Sequence, residues 1–131
     1  MCTSVVEAKE QLKEREQLYG KTHPMTVRGL VELADVYFVE DNFLEAEQMY
    51  WQALEASHLS YGDKSEQTAG ILESLAELYE LQSLYTPASQ LYRLSIDIRE
   101  EIQGPNHPST LSVKTNFAGF QRTYSPARSV A

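Results

Sequence analysis

The chain is poor in the features that would mark a secreted scaffold, a linker-rich protein or a membrane protein. Its one cysteine, Cys2, rules out an internal disulfide and reads as an ordinary N-terminal thiol. Six glycines and five prolines among 131 residues leave no long flexible linker. No apolar run approaches the roughly 20 residues of a membrane span, so membrane insertion is not expected. No basic and apolar N-terminal run resembles a secretory signal, and there is no Asn-x-Ser/Thr sequon. These absences together predict a reducing, cytoplasmic setting. Basic residues are also scarce: 11 Lys and Arg stand against 19 Asp and Glu, for a formal charge of −8. A nucleic-acid or anionic-membrane binder needs a basic surface, so neither partner is expected.

Catalytic chemistry is equally hard to find. His23 and His107 sit in His-Pro turns two repeats apart, too far to share a metal, and His58 is solitary. There is no Gly-rich phosphate loop, no Cys/His metal spacing and no nucleophile elbow. The carboxylates follow helical surface spacing. No catalytic residue, metal site or cofactor is therefore predicted, and the chain does not read as an enzyme. Ser125-Pro126 has the form of a proline-directed phosphorylation site but reads better as a helix start.

What the chain has is repetition. Gly20, Gly62 and Gly104 stand 42 residues apart, as do Thr26, Thr68 and Thr110, and Ala34, Ala76 and Ala118. His23-Pro24 recurs as His107-Pro108. Tyr37 matches Tyr79, Ala46 matches Ala88, Tyr50 matches Tyr92, and Leu54 matches Ile96. A period of this length marks a helical array in which each unit buries its apolar face against the next. Within a copy the spacing is helical: Leu30, Leu33, Ala34 and Tyr37 follow i, i+3, i+4, i+7, and so do Leu72, Leu75, Ala76 and Tyr79. Small residues at Ala34, Ala46, Ala76 and Ala88 let paired helices approach closely.

These patterns predict a single all-α domain over residues 1–131, with about six helices. A lone N-terminal helix over 4–18 forms a half-repeat within 1–19. Repeat 1 (20–61) holds a first helix from Pro24 to Val39 and a second from Leu44 to Leu59. Repeat 2 (62–103) holds helices from Ser65 to Gln82 and from Pro87 to Ile102, with Ser65 and Thr86 as N-caps. Gly62 and Gly104 suit loops that need positive φ. Repeat 3 (104–131) is truncated, with a helix from Pro108 to Arg122, and the chain stops as Ser125-Pro126-Ala127 opens another. The half-repeats predict either a longer array or partners that cap both ends.

The small-residue positions Ala34, Ala46 and Ala53, with Leu30, Leu33, Tyr37 and Tyr50, resemble tetratricopeptide repeats. The 42-residue spacing, with Tyr-Gly-x-x-His-Pro-x-Thr and Gln-Gly-Pro-Asn-His-Pro-Ser-Thr-Leu, resembles the kinesin light chain subtype. That subtype carries paired asparagines before Leu-Ala; the positions here are Val31-Glu32, Glu73-Ser74 and Thr115-Asn116, so only Asn116 matches. The resemblance implies a right-handed α-α superhelix, a solenoid of antiparallel helix pairs. It also implies a non-catalytic adaptor or scaffold that binds a protein or peptide on a concave wall of first helices. Its groove positions fall on Arg28, Val31, Asp35, Phe38 and Val39, on Gly70, Glu73, Glu77, Glu80 and Leu81, and on Ser112, Thr115, Gly119, Arg122 and Thr123.

The middle of that wall is acidic. A basic peptide would complement it, unless Glu73, Glu77 and Glu80 are only a solvated helix face. Trp51 stands where the other copies have Lys9 and Arg93, either packed on the N-terminal helix or exposed as an anchor. Phe117 and Phe120 lie where the chain provides little second helix to cover them, so an apolar association surface is expected there. The alternative function is thus a structural subunit, homodimeric or part of a larger complex, joined through its convex face, Trp51 or its C-terminal end.

Overall fold

A computed structural model describes residues 4–124. Cys2 and the Ser125-Pro126-Ala127 helix start lie outside the described residues. Six helices follow in order: α1 (Val5–Tyr19), α2 (Pro24–Val39), α3 (Phe43–Tyr61), α4 (Glu66–Leu81), α5 (Tyr85–Gln103) and α6 (Pro108–Tyr124). There is no strand among the described residues. The chain divides into two compact units, with the boundary between Asp63 and Lys64. The first holds α1 to α3 and the second α4 to α6.

Local chemistry sets the helix ends. Ser4 accepts from the Glu7 amide at 3.2 Å, and Ser65 from the Thr68 amide at 3.0 Å. The two histidines do the same work: His23 Nδ1 accepts from the Met25 amide at 3.0 Å, and His107 Nδ1 from the Ser109 amide at 3.1 Å. Pro24 and Pro108 each follow as the first helical residue, where no N–H is needed. Gly62 and Gly104 close the second helices at φ 93°, a conformation that side chains rarely adopt.

The starts of α3 and α5 lie earlier than expected. α5 begins at Tyr85, and Thr86 is inside the helix, not its N-cap. α3 begins one residue early, at Phe43. Neither start has a side-chain cap bond, and in both turns the backbone closes the preceding helix. Asp41 and Ser83 adopt φ 63°, and the next amides, Asn42 and Leu84, reach back to the Tyr37 and Tyr79 carbonyls at 2.9 and 2.8 Å. This is the six-to-one bond of a Schellman turn, which needs no side-chain cap. It also places Pro87 in the first turn of α5, where its missing amide costs little.

In the first unit α2 packs on both α1 and α3. The core joins Ala8 and Leu12 of α1 to Val27, Leu30, Leu33, Ala34 and Tyr37 of α2, and to Ala46, Tyr50 and Ala53 of α3. In the second unit α5 packs on both α4 and α6. Leu72, Leu75, Ala76 and Tyr79 meet Ala88, Leu91 and Tyr92, and Val113, Phe117 and Phe120 close the core. The alanines at 34, 46, 76 and 88 are all fully buried, as close helix pairing requires.

Candidate interaction surface

On α2, Arg28 is exposed and pairs loosely with Glu32 at 3.9 Å. Val31 and Phe38 are half-buried, and Phe38 meets Phe43 edge-on with ring centroids 6.0 Å apart. Asp35 is exposed on one side and accepts a hydrogen bond from the buried Tyr50 hydroxyl on its other side. Desolvation by the α2–α3 seam raises the Asp35 pKa above 3.8; the Tyr50 bond opposes this, and the nearby Glu32 charge adds to it.

On α4 the acidic row divides. Glu73 holds Arg99, with Nε–Oε2 2.5 Å and Nη2–Oε1 3.2 Å, and also accepts from Ser95. Arg99 is itself buried, 7% exposed, so Glu73 is the counter-ion of a guanidinium within its own unit. Glu80 accepts from Tyr92 at 3.1 Å. Burial pushes the Tyr92 phenol well above its ordinary range, and the Glu80 charge adds to this. Glu77 is exposed. Glu73 and Glu80, both expected in an acidic wall, are thus engaged by α5. On α6, Thr115, Asn116 and Arg122 are exposed, while the Thr115 hydroxyl donates to its own helix at Leu111 O, 2.8 Å away.

Phe117 and Phe120 do not form the expected exposed patch. They are 9% and 6% exposed. Phe120 packs against Tyr85, Tyr92 and Tyr124 at centroid distances of 6.2, 5.4 and 5.3 Å, and Arg93 stands over the Phe117 ring at 5.6 Å. A following helix is not required to cover them. Instead α5, and Tyr124 at the end of α6, supply the aromatic cover. Trp51 is 42% exposed on α3.

Helical periodicity puts Ser95 on the inward face of α5 but has no means of pairing it, or Arg99, with Glu73. Each lies on a neighbouring helix from Glu73, and neither spacing belongs to a helical repeat. The repeat frame even misleads here. Tyr50 and Tyr92 are equivalent, but Tyr50 bonds Asp35, which aligns with Glu77, while Tyr92 bonds Glu80, which aligns with Phe38.

A groove of about 470 Å³ also lies between α1 and α2, lined by Ala8, Gln11, Glu32, Asp35, Val36, Val39 and Glu40. Among the described residues, no three His, Cys, Asp or Glu side chains gather as a metal ion would require. No helix there is long and apolar enough to cross a membrane.

Hairpins of this size, with buried alanines at the crossings and exposed polar positions on the first helices, define a helical-repeat protein. The tetratricopeptide repeat family model matches residues 25–101, and the chain belongs to that family. No curated protein matches it. A solved structure of BtubC (BKLC) from P. vanneervenii is similar in fold, with a TM-score of 0.81 at 19% identity. The match covers 90% of this chain and 47% of that one, so this chain spans about half the length of that protein. Tetratricopeptide repeats generally mediate protein–protein interaction.

Proposed function

We propose that the chain is a non-catalytic interaction module that binds a peptide or partner subunit on the exposed face of its first helices. The single observation that carries this reading is the division of labour on α2 and α4. One face is spent on the core through Leu30, Leu33 and Ala34 and their counterparts, while Arg28, Asp35 and Glu77 remain at the surface. The 42-residue period supports the kinesin light chain-like subtype, and the residue chemistry supports a cytoplasmic setting. The domain is proposed to run as a half-repeat, two full repeats and a truncated third.

A second reading is favoured by a different observation. Leu44, Trp51 and Leu59 are 63%, 42% and 63% exposed and fall near one side of α3. An apolar stripe of this kind suits a structural subunit packed into an assembly or against another copy.

Affinity purification of the full chain from its own cell extract, followed by mass spectrometry, supplies the partner. Arg28→Glu with Glu77→Lys should abolish capture while helicity stays unchanged. Capture that survives this pair but is lost in Trp51→Ala would replace the first reading with the second.

A further inference from the structure

The α1–α2 groove in the first unit is built by a contrast in side-chain size. Towards the start of α2 the helices are in close contact: a Cβ added at Gly29 would lie 3.2 Å from Leu12 Cδ1 and 3.4 Å from Arg15 Cδ. Further along, α1 offers only the small Ala8 and the polar Gln11 beside Val36 and Val39. The space left there falls in the size range of ligand pockets. Val39 is 74% exposed, so an apolar wall stands open to solvent.

The rim carries one sign of charge. Glu32 is neutralised by Arg15 at 2.8 Å. Among the described residues Asp35 and Glu40 have no ion pair of that kind, and α2 ends at the groove, so the negative end of its dipole adds to theirs. The nearby cation on α1, Lys9, lies over the Tyr37 ring at 5.9 Å.

We propose that this groove seats one apolar side chain of an extended peptide that carries a lysine or arginine next to it. The inference rests on the interaction-module reading and adds the location and the chemistry of the peptide. The apolar anchor fills the space above Ala8 against Val36 and Val39. The cation beside it meets Asp35, Glu40 and the negative end of the α2 dipole, where acidic peptides are repelled. An acidic receptor for a basic segment was expected on α4, but Glu73 and Glu80 are already engaged there. In the first unit Glu40 and the exposed side of Asp35, which also accepts from Tyr50, line the groove.

The probe is a random peptide library displayed on phage and selected on the full chain. Selected sequences are then synthesised and measured by fluorescence anisotropy against wild type, Val39→Arg and Glu40→Gln. Leu18→Arg, at an exposed α1 position outside the groove, is the control, and circular dichroism checks the fold of each variant. The expected peptides share an apolar residue beside Lys or Arg. Val39→Arg should weaken them about tenfold, the loss of a single hot-spot contact. Glu40→Gln, which keeps the side-chain shape, should weaken them a few-fold and reduce their salt sensitivity. Peptides that bind wild type and both groove variants equally would overturn the inference and leave the interaction module standing. Failure to select any peptide would overturn the inference and the peptide form of that reading together.

Discussion

Arg99 is buried in the second unit with its guanidinium forked onto both carboxylate oxygens of Glu73. The bond joins α5 to α4, and the Ser95 hydroxyl on the same carboxylate completes it. Glu73 therefore belongs to the fold before it belongs to any binding surface. Breaking such a pair costs far more than the pair is worth, because it strands a desolvated charge. Arg99→Met should destabilise the chain by about 3 kcal/mol, the low end of that range, since Glu73 keeps some solvent contact. Urea unfolding measures this. Adding Glu73→Leu to Arg99→Met should recover most of the loss, and a double mutant as unstable as the single would refute the pairing argument.

Ser83 holds a left-handed conformation between α4 and α5 at φ 63°. The chain needs that conformation to close the Leu84-to-Tyr79 bond. Glycine adopts it without the Cβ penalty, offset in part by its freer unfolded state. Ser83→Gly should stabilise by about 0.5–1 kcal/mol and raise the calorimetric Tm by a few degrees. An unchanged or lower Tm would mean that the turn is not strained.

Asp35 provides a pH test. Its folded pKa is raised, first by desolvation, so the folded state binds the proton more tightly than the unfolded one. The stability it contributes is fully present below pH 3.8 and is lost as pH rises through the folded midpoint. NMR titration of the Asp35 carboxyl carbon should give a midpoint above 3.8. Tyr50→Phe removes the one bond that favours the charged form and should move the midpoint higher still. A midpoint that falls in Tyr50→Phe would contradict this balance.

Phe120 is enclosed by Tyr85, Tyr92 and Tyr124. Phe120→Ala should cost about 3–4 kcal/mol, the usual loss for a buried aromatic ring. Near-UV circular dichroism should weaken with it. If Phe120 instead formed an association surface, the same variant would shift the sedimentation coefficient and leave unfolding unchanged.

The helices were legible because their evidence is local and repeated. A period of 3.6 sets each apolar face, and the 42-residue frame supplies independent copies of it. Ser65, His23 and His107 mark starts through bonds made within three residues, and Pro24 and Pro108 by needing no amide partner. The starts of α3 and α5 were not legible, because neither has a side-chain cap and the turns before them are backbone closures of α2 and α4. The polar face of α4 was misread for a related reason. Glu73, Glu77 and Glu80 share one helical face in the sequence, and nothing in that spacing shows that Ser95, Arg99 and Tyr92 stand on the next helix to meet two of them.

The sequence by itself determined the all-α class, the six helices among the described residues, the repeat period and the buried alanines. Each of these follows from side-chain size and periodicity along one chain direction. Only the tertiary structure decided which carboxylates are taken by neighbours, which aromatics cover Phe117 and Phe120, and where α1 and α2 leave a groove. Those depend on which residues face each other across a helix pair, and that register is set by packing between helices.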